Sequence, residues 1–568
     1  MQRLWDLLRR WPFAALALLT ALQTVGTLSS RALWFSDEVR YADAYAGLLR
    51  GKWLVLNLNG VAYPDKPPLY FWLLRGLDLL TGLADPVVFF LGAAVSGLLV
   101  LYATLAWAKA LRLPEESGLL AGLLLLTTLF FAGLLHYSRM DLLFAALIIA
   151  AQAAFCVAFR TPASSGEGTS RRGRFAALAL FLAALATLTK GPLGLLFPVF
   201  TTLVFLAWRG RAREFFRREM LPGLLVLLAV VFSWVVAAYC IEGAGFLRKI
   251  FYEQIFQRAT KTFHHAEPWY FYCIAFPPCW LPWMLAPVAL PVRRLLQGPF
   301  WRGLLAGRKN ATPESDARAW LWISALSGLG LLSLLSGKVV VYLLPQLPPL
   351  ALLLALALRD ASLPWRRLWI AAALLFFALA AALSQGARFL PVPITPEGDL
   401  PGAYAVAAGF AACGLGLLAL RKQDPRHILL ALALLTAAWV QPAGRVLAPG
   451  LDAIMSPKPQ ALLLKSFAEQ GYMPVAHDIY QGIYSYYFGG PIFETARFNA
   501  LDALVAEQDI VLVIKKKKWD AWPQRPEHII KVYEQWLAGQ SYYVAISRKD
   551  GSLRPLPCDP RRACVAQP

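Results

Sequence analysis

The chain has 568 residues, of which 58% are hydrophobic and only 16% are charged, and its mean hydropathy is +0.52. A soluble globular chain averages roughly 45–50% apolar and about 25% charged residues, so this composition excludes an ordinary soluble protein. The net charge of +21 does not indicate nucleic-acid binding, because the basic residues are concentrated in short loops between apolar blocks.

The apolar blocks are about as long as a membrane-spanning helix, which takes roughly 20 residues. They lack the alternation of polar and apolar residues found in barrel strands, so they are predicted to be helices. The first block is not followed by an A-x-A-like cleavage site and is interpreted as a retained span. The predicted fold is mainly α, a polytopic membrane protein with about 13 transmembrane helices. In chain order these helices are 11–30, 86–108, 117–135, 140–159, 175–190, 192–208, 221–241, 269–290, 319–336, 339–358, 366–385, 402–420 and 427–443.

The charges of the loops predict the orientation of the chain. With the N-terminus inside the cell, the inner segments hold 26 Lys and Arg against 10 Asp and Glu, whereas the outer segment 31–85 holds 6 against 6. Basic residues favour the cytoplasmic side, where they also contact anionic lipids. An odd number of spans places the C-terminal residues outside. The predicted domains are a transmembrane domain, 1–443, with outer loops 31–85 and 242–268, and an outer α/β domain, 444–568.

The C-terminal domain is predicted from short alternating patterns. Residues 459–470 and 532–539 are predicted as helices, and residues 474–479, 509–515 and 542–547 as strands. The run Lys515–Lys518 is interpreted as a solvated face, with contact to an anionic membrane surface as the alternative.

The seven cysteines form no C-x-x-C motif, so no zinc-finger or thioredoxin-like framework is predicted. Cys558 and Cys564 lie close together near the C-terminus. In an oxidising compartment a disulfide between them is one interpretation and two free thiols are the other.

Three clusters of polar residues lie at the predicted outer membrane boundary. The first follows the first span and contains Asp37, Glu38, Arg40 and Tyr41. Acids beside an apolar helix end are costly unless they are paired or used in chemistry. The alternative is a helix start, with Ser36 as the N-cap and the acids in the first turn.

The second cluster contains Tyr63, Asp65 and Lys66, followed by two prolines. The prolines can begin a helix at 69–80, which is predicted to lie in the interface with Tyr70 and Trp72 as anchors. A lysine just before a helix is suited to binding phosphate. The alternative is an ordinary turn before an amphipathic helix.

The third cluster, Arg258 followed by His264, His265 and Glu267, directly precedes a predicted span. Histidine together with an acid from another loop would suit a zinc ion. Adjacent histidines do not share a helix face, so both can bind one metal only from a loop. The alternative is a group of solvated polar residues at a helix start.

Three smaller groups lie on the same predicted side: Arg139 with Asp141, Lys190, and Lys338 with Tyr342. None is specific alone. Together with the larger clusters they place polar residues on one face of an otherwise apolar protein, whereas a chance arrangement would scatter them over both faces. The sequence therefore predicts that any chemistry takes place on the outer face.

This ordered set of motifs resembles the bacterial lipid A aminoarabinose transferases, within the protein mannosyltransferase-like group of polyprenyl-phosphate-sugar glycosyltransferases. The resemblance covers nearly the whole chain, and no single motif decides it. Asp65 is a departure, because glutamate is expected at this position in those enzymes, where it is tied to a metal site. The segments that carry the resemblance are Asp37–Tyr41, Asp65–Trp72, Lys190–Pro192, His264–Tyr270 and Lys338–Pro345.

The resemblance implies a GT-C-like glycosyltransferase in the bacterial inner membrane, with its active site facing the periplasm. It would move a sugar, with 4-amino-4-deoxy-L-arabinose as the first choice, from undecaprenyl phosphate to lipid A or another periplasmic acceptor. The candidate catalytic residues are Asp37, Glu38 and Asp141. The candidate substrate-binding residues are Arg40, Tyr41, Tyr63, Lys66, Arg139, Lys190, Arg258, Lys338 and Tyr342, and the candidate zinc ligands are Asp65, His264 and His265.

The roles of these residues follow from the chemistry of the donor. Lys66 and Arg258 would hold the donor phosphate, where negative charge grows as its bond to the sugar breaks. Asp37 would act as a base for an acceptor hydroxyl, or would orient groups if the acceptor is an ionised lipid A phosphate. Glu38 is the alternative acid, or the partner of Arg40.

Two other classes of function predict different sequences. A transporter predicts ionisable residues at mid-membrane depth and repeated halves, and this sequence shows few charges within its apolar blocks and no clear repeat. An assembly or anchor protein gives no reason for acids, lysine and histidine to gather outside. Among transferases, mannose, galacturonic acid or glucosamine as the sugar, and another glycan or a protein as the acceptor, stay open.

Overall fold

The computed structural model describes residues 2–160, 166–257, 267–293, 297–298, 312–395 and 398–552. The chain divides into two compact units, each described here by itself. The membrane unit consists of Met1–Ser29, Pro64–Ser384 and Tyr404–Pro442, and the sheet unit of Ser30–Tyr63, Gln385–Ala403 and Ala443–Pro568. The predicted outer loop 31–85 is therefore divided, with residues up to Tyr63 in the sheet unit and the remainder in the membrane unit.

Most of the chain is helical, as predicted. Within the described residues, nine helical segments are long and apolar enough to cross a bilayer, by length and composition: Val87–Ala110, Asp141–Phe159, Arg171–Lys190, Arg218–Glu253, Pro313–Leu334, Val340–Ala357, Trp365–Ser384, Ala403–Leu420 and Pro425–Gly450. Three apolar helical segments are shorter: Pro12–Thr27, Ser117–Leu126 and Leu193–Trp208. The remaining helices of the membrane unit include Gln2–Arg10, Leu69–Thr81, Leu129–Leu134 and Phe271–Cys279.

Twelve of the predicted helices have a counterpart among these segments, and the number thirteen is not confirmed. The predicted helix 269–290 is broken into Phe271–Cys279 and the 3₁₀ helix Trp283–Val288. Pro282 lies in this break, and proline lacks the N–H that a continuous helix requires.

The predicted helix 117–135 is also interrupted, and the two breaks compensate each other. The Leu129 N–H donates to the Leu281 carbonyl at 3.0 Å, and the Trp283 indole N–H donates to the Leu124 carbonyl at 2.8 Å. Backbone groups freed inside a membrane need such partners, since lipid offers none. The apolar pattern alone could not show these breaks, because it does not record which carbonyls find partners in another segment.

The helix predicted at 69–80 is confirmed as Leu69–Thr81. It begins directly after Pro68 and ends at Gly82, whose φ of +65° is the left-handed conformation common after a helix. The prediction that Tyr70 anchors the helix in the interface is wrong. Tyr70 is fully buried, and its hydroxyl oxygen lies 3.3 Å from Ser138 Oγ, because its face of the helix packs against protein.

The core of the membrane unit is built mainly of leucine, alanine and tryptophan side chains. Small residues set the closest approaches between helices. A Cβ on Gly194 would lie 2.4 Å from the carbonyl carbon of Ala186. Helix Leu193–Trp208 therefore packs directly against the end of helix Gly166–Lys190, whose membrane-spanning part is the segment Arg171–Lys190. This contact fixes the position of the helix end that carries Lys190.

The sheet unit contains a short hairpin and a mixed five-stranded sheet. The hairpin pairs β1 (Asn57–Leu58) with β2 (Val61–Ala62). The sheet has the order β4-β3-β5-β7-β6, with parallel pairs β3–β4 and β3–β5 and antiparallel pairs β5–β7 and β6–β7. Its strands are β3 (Met473–His477), β4 (Phe493–Thr495), β5 (Ile510–Lys515), β6 (Ile530–Leu537) and β7 (Gln540–Ser547). The helices of the unit include Asp37–Leu49, Lys458–Ala468, Phe498–Glu507 and Lys516–Asp520.

The prediction of a helix at 532–539 is wrong, because this segment is strand β6. Ala538 and Gly539 have φ of +46° and +105° and form the two-residue turn between β6 and β7, a geometry that matches strand twist. The strands predicted at 474–479, 509–515 and 542–547 are confirmed as β3, β5 and β7. Strand β4 was not predicted, because three residues are too few to show the alternation of polar and apolar side chains that indicates a strand.

We expect the N-terminus inside the cell and the sheet unit outside, on the basis of the loop charges. Reporter fusions at Gly166, at Gly307 and after the last residue measure this: the first two are expected to report the cytoplasm and the third the periplasm. Because the segment 269–290 is broken, an even number of crossings is the specific alternative. A cytoplasmic C-terminal reporter would contradict the expected orientation and the outer location of the candidate site.

Candidate functional site

The segment that leads into helix Asp37–Leu49 is held by four hydrogen bonds, three of them to distant parts of the sheet unit. Four consecutive backbone N–H groups each donate to a partner. The bonds run from Ala32 to Asp452 Oδ2 (2.9 Å), from Leu33 to the Tyr487 hydroxyl (2.7 Å), from Trp34 to Glu38 Oε2 (2.8 Å) and from Phe35 to the Met455 carbonyl (2.8 Å). A segment with four consecutive N–H groups committed cannot shift without breaking bonds, so the helix start is fixed in place.

Asp452 is the central acceptor of this arrangement. Its Oδ1 atom accepts the indole N–H of Trp34 at 2.7 Å, while Oδ2 accepts the Ala32 N–H. Burial raises the pKa of Asp452, and these two hydrogen bonds act in the opposite direction by stabilising the charged form. We call the segment 31–36 together with these partners the clamp.

Glu38 forms a buried bidentate ion pair with Arg31. The distances are 2.7 Å from Nη1 to Oε2 and 2.8 Å from Nη2 to Oε1, and the two side chains are 0% and 5% exposed. The Arg31 guanidinium also lies 4.1 Å from the centre of the Trp34 ring. The hypothesis that Glu38 pairs with Arg40 is therefore replaced by the Arg31 pair, which ties the acid into the clamp.

Asp37 has a different environment, one residue away. It is the first residue of its helix, and Ser36 precedes it without making a side-chain cap hydrogen bond. Its carboxylate is 22% exposed and lies 3.9 Å from Arg40 Nη1. Arg40 in turn donates from Nε to the Gln481 carbonyl at 3.0 Å and lies 5.3 Å from the centre of the Tyr63 ring. Asp37 is therefore the accessible acid of the pair.

Tyr41 and Tyr63, both predicted to bind substrate, are buried in the sheet unit. Tyr63 N–H donates to the Leu56 carbonyl at 2.7 Å. The structure brings Arg40 and Tyr63 together, as the prediction of a shared site requires, and places Tyr41 inside the unit.

Sequence reasoning missed a second set of polar contacts, around Asn59. The Asn59 N–H donates to Asp43 Oδ2 at 2.6 Å, and its side chain exchanges hydrogen bonds with the backbone of Ile492. Glu494 accepts the Gly482 N–H at 3.0 Å. Burial raises the pKa of Asp43 and of Glu494, and for Glu494 the neighbouring charge of Asp43 acts in the same direction. The signal in the sequence was the pair Asn59-Gly60, a common hairpin turn.

In the membrane unit, four of the predicted residues meet at one point. Asp141 accepts from Arg139 Nε at 2.9 Å and from the Lys190 ammonium, and the Lys190 Nζ lies 4.3 Å from the centre of the Tyr342 ring. Asp141 begins its helix and Lys190 ends the neighbouring one, which are the helix ends where an anion and a cation are each favoured. Asp141 is 2% exposed, so its charge needs these partners.

Lys338 is buried, and its ammonium donates to the Leu335 carbonyl just beyond helix Pro313–Leu334. It therefore satisfies a helix end in the structure. Asp65 and Lys66 are partly buried and directly precede helix Leu69–Thr81, as predicted. Arg258, His264, His265, Cys558 and Cys564 lie outside the described residues. Across the described ranges, no group of three His, Cys, Asp or Glu residues is arranged to hold a metal ion.

Comparison with known proteins adds to this geometry. Residues 65–239 match the family model described as dolichyl-phosphate-mannose-protein mannosyltransferase. The chain is similar to two proteins named undecaprenyl phosphate-alpha-4-amino-4-deoxy-L-arabinose arabinosyl transferase. It is 30% identical to one from Pseudomonas fluorescens over 360 residues, 62% of this chain and 57% of that protein. It is 31% identical to one from Pseudomonas aeruginosa over 357 residues, 62% of this chain and 60% of that protein. The match thus spans less than two thirds of these relatives.

The structural likeness is more extensive. ArnT from Cupriavidus metallidurans bound to undecaprenyl phosphate superposes with a TM-score of 0.73 at 19% identity, covering 95% of this chain and 98% of that one. The same protein in the apo state gives a TM-score of 0.74. The chain has the ArnT fold. The resemblance inferred from the motifs is confirmed, and so is the predicted class of a mainly helical membrane protein with a small C-terminal sheet region.

We expect Glu38→Gln to destabilise the protein by about 3–5 kcal/mol, because Arg31 would remain buried without its counter-ion. Asp37→Asn is the matched control: it changes the adjacent acid in the same way, and its ion pair is longer and partly exposed. Thermal unfolding of the detergent-solubilised proteins, followed by tryptophan fluorescence, measures the difference. Equal melting temperatures for the two variants would show that the buried pair does not stabilise the clamp.

Proposed function

We propose that this protein is a membrane glycosyltransferase that transfers 4-amino-4-deoxy-L-arabinose from undecaprenyl phosphate to lipid A or a related periplasmic acceptor. The observation that carries the proposal is the similarity to named arabinosyl transferases over 360 residues, in a chain with the ArnT fold over 95% of its length. The motif order agrees with it. The proposal also includes location in the bacterial inner membrane with the site facing the periplasm.

The transfer requires that one bond form and one break at the sugar C1 atom. The acceptor oxygen bonds to C1, and the bond from C1 to the phosphate oxygen breaks with its electron pair passing to the phosphate. Negative charge therefore grows on the departing undecaprenyl phosphate, and fixed cations in a water-poor site stabilise it. We assign this role to Lys66 and Arg258. Lys338, the third candidate, is buried and bound to the Leu335 carbonyl, so it is not assigned this role.

Asp37 is the proposed acid of the reaction. If the acceptor is a hydroxyl group, Asp37 takes its proton as the bond to C1 forms. If the acceptor is an ionised lipid A phosphate, no proton has to leave, and Asp37 orients the reacting groups. Its partial exposure supports this assignment over Glu38, whose carboxylate is bound in the Arg31 ion pair.

The cluster of Asp141, Arg139, Lys190 and Tyr342 is proposed to support donor binding. Because its carboxylate is shared by Arg139 and Lys190, it holds two cations in fixed positions. Lys190 is further placed over the Tyr342 ring, an arrangement that favours a cation. These contacts support a role for Asp141 as a positioning residue of the cations.

An alternative acceptor is favoured by one specific observation. The family model that matches residues 65–239 is described as a mannosyltransferase whose acceptor is protein. A transferase that uses a polyprenyl-phosphate sugar on a protein or another glycan would share the chemistry above and differ only in its acceptor. Mass spectrometry of lipid A from cells with and without this protein separates the two, since only the first choice changes the mass of lipid A.

We expect Asp37→Asn to lower the rate of transfer by about 10²-fold or more, with no change in melting temperature. The assay follows modified lipid A by mass spectrometry after incubating purified protein with donor and acceptor. Asp399→Asn is the matched control, because Asp399 is an exposed aspartate of the same unit. Transfer by Asp37→Asn at the rate of the wild type would remove Asp37 from the mechanism.

A zinc ion is a further proposal for this site. A zinc site needs at least three protein ligands, and Asp65, His264 and His265 would supply them. The predicted loop 242–268 is wrong for residues 242–257, which are helical with a kink at Gly243. We expect elemental analysis of untagged protein to find about one zinc per chain, and His264→Ala and His265→Ala to lower it. Metal well below that level after zinc addition, with activity intact in chelator, would reassign the histidines to acceptor binding.

A further inference from the structure

The carboxyl ends of the parallel strands β3 and β5 carry an unusual set of side chains. β3 ends at His477 and is followed by Asp478, and β5 ends at Lys515. Strand β3 lies between β4 and β5. The chain passes from β3 to β4 on one side and then crosses to β5 on the other side. Ligands of open sheets with parallel strands bind in the crevice at such a point, outside the carboxyl ends of the strands.

The charges at this edge are not balanced. Lys515 Nζ and Lys518 Nζ lie 3.7 Å and 3.4 Å from the same oxygen of Asp478. One carboxylate thus faces two ammonium groups, and the positive charge is in excess. All three side chains are 22–40% exposed, so an anion from solvent can reach them. Because β5 is buried up to Ile514, the backbone that presents Lys515 is held rigidly.

The basic run Lys515–Lys518 is therefore more than a uniformly solvated face. Lys516 interacts with Tyr543, which raises the pKa of its ammonium group. Lys515 and Lys518 face the carboxyl edge instead. The sequence could not show which of these lysines share a surface, since four identical residues in a row have no polar–apolar pattern.

Tyr480 connects this edge to the start of the helix that carries Asp37. Its ring is 50% exposed; Lys515 Nζ lies 5.9 Å from the ring centre, and the Phe35 ring lies 6.1 Å away. Phe35 is two residues before Asp37, and the next loop residue, Gln481, accepts the hydrogen bond of Arg40. Within the sheet unit, Tyr480 therefore lies between Lys515 on one side and the start of the Asp37 helix on the other.

We infer that Lys515 and Lys518, with Tyr480 beside them, bind a phosphate group of a phosphorylated glycolipid acceptor and present it to the Asp37 end of the helix. This inference rests on the proposed function. Lysine ammonium groups act as point charges toward phosphate oxygens, and an exposed tyrosine ring provides an amphipathic surface for a sugar beside them. We call Asp478, Tyr480, Lys515 and Lys518 the lysine edge.

The acceptor fits this edge better than the donor does. Both substrates are lipids, but they carry phosphate differently. In the donor the phosphate is attached directly to an apolar tail that needs a groove between spanning helices, whereas the phosphates of lipid A are attached to its sugars and can reach a sheet edge that is open to solvent. An anionic phospholipid headgroup offers the same phosphate chemistry, but it lacks the sugar that Tyr480 would contact. The two sources of phosphate can be separated by experiment.

The test uses the purified full-length protein and the double substitution Lys515→Gln and Lys518→Gln. The matched control is Lys465→Gln with Lys549→Gln. It removes the same charge from the same unit, and Lys549 follows β7 at the opposite edge of the sheet, where Ser547 pairs with Ile510. A second variant, Lys515→Arg with Lys518→Arg, keeps the charge. Steady-state kinetics with donor and phosphorylated lipid A, and binding of fluorescent lipid A without donor, are measured for each.

We expect the double glutamine variant to raise the acceptor KM and the dissociation constant of lipid A by about 10-fold or more. The donor KM and kcat should stay unchanged, and the arginine variant should restore most of the binding. Weaker binding to vesicles of anionic phospholipid with an unchanged acceptor KM would overturn the inference in favour of a membrane contact. A raised donor KM, or no change in any parameter, would also overturn it.

Failure of the proposed function gives a different result. If the wild-type protein with intact donor modifies no phosphorylated glycolipid and binds none, the proposed function fails before any variant is compared. If the double glutamine variant does not fold, Lys518→Glu replaces it, because Lys518 is 40% exposed and its reversal is tolerated at a surface. An unchanged acceptor KM in that variant would count against the lysine edge.

Discussion

The buried ion pair between Arg31 and Glu38 is the interaction on which the candidate site depends. Two charges taken out of water are stable only while both partners and their hydrogen bonds remain, and here the pair is bidentate and almost fully enclosed. Glu38 also accepts the Trp34 N–H, so the same carboxylate fixes the loop before the helix and the first turn of the helix. Asp37, the adjacent residue, is left partly exposed by that arrangement.

The two acids show how neighbouring residues of the same charge take different roles. Consecutive positions on a helix point about 100° apart, so one carboxylate enters the protein while the other faces outward. A buried charge needs a partner, which Arg31 supplies, and an exposed one does not. A motif with two adjacent acids names both residues as candidates, and only the three-dimensional surroundings separate the structural acid from the accessible one.

Much of the helical architecture could be predicted from the sequence, because apolar blocks of bilayer length allow few other structures. The breaks near Leu281 and Leu129 could not, since they depend on carbonyls contributed by another segment. For the same reason Tyr70 was predicted at an interface although it is buried: an amphipathic pattern does not show whether lipid or protein covers a face. Strand β6 was predicted as a helix because the turn residue Ala538 carries no sign of its positive φ.

The candidate site was predicted in part. Local signals were sufficient for Asp141 and Lys190, which stand at helix ends and meet in the structure. The partner of Glu38 is only seven residues away, yet Arg31 was not considered because it lies before the motif. The role of Asp452 could not be predicted, since nothing in the sequence relates it to Ala32 and Trp34, more than 400 positions earlier. Contacts of this kind are set by the fold and not by spacing.

The clamp also affects the order in which the protein can fold during its synthesis. Ala32 and Asp452 are separated by 420 positions, and Leu33 and Tyr487 by 454, so the ribosome must synthesise more than 400 further residues before these bonds can form. Most helices that precede Asp452 can pack earlier, because helices such as Val87–Ala110, Asp141–Phe159 and Gly166–Lys190 contact one another at shorter separations in sequence. A nascent or truncated chain would therefore carry the Asp37 motif without the clamp that positions it, and the proposed transfer activity would be acquired only after these bonds form.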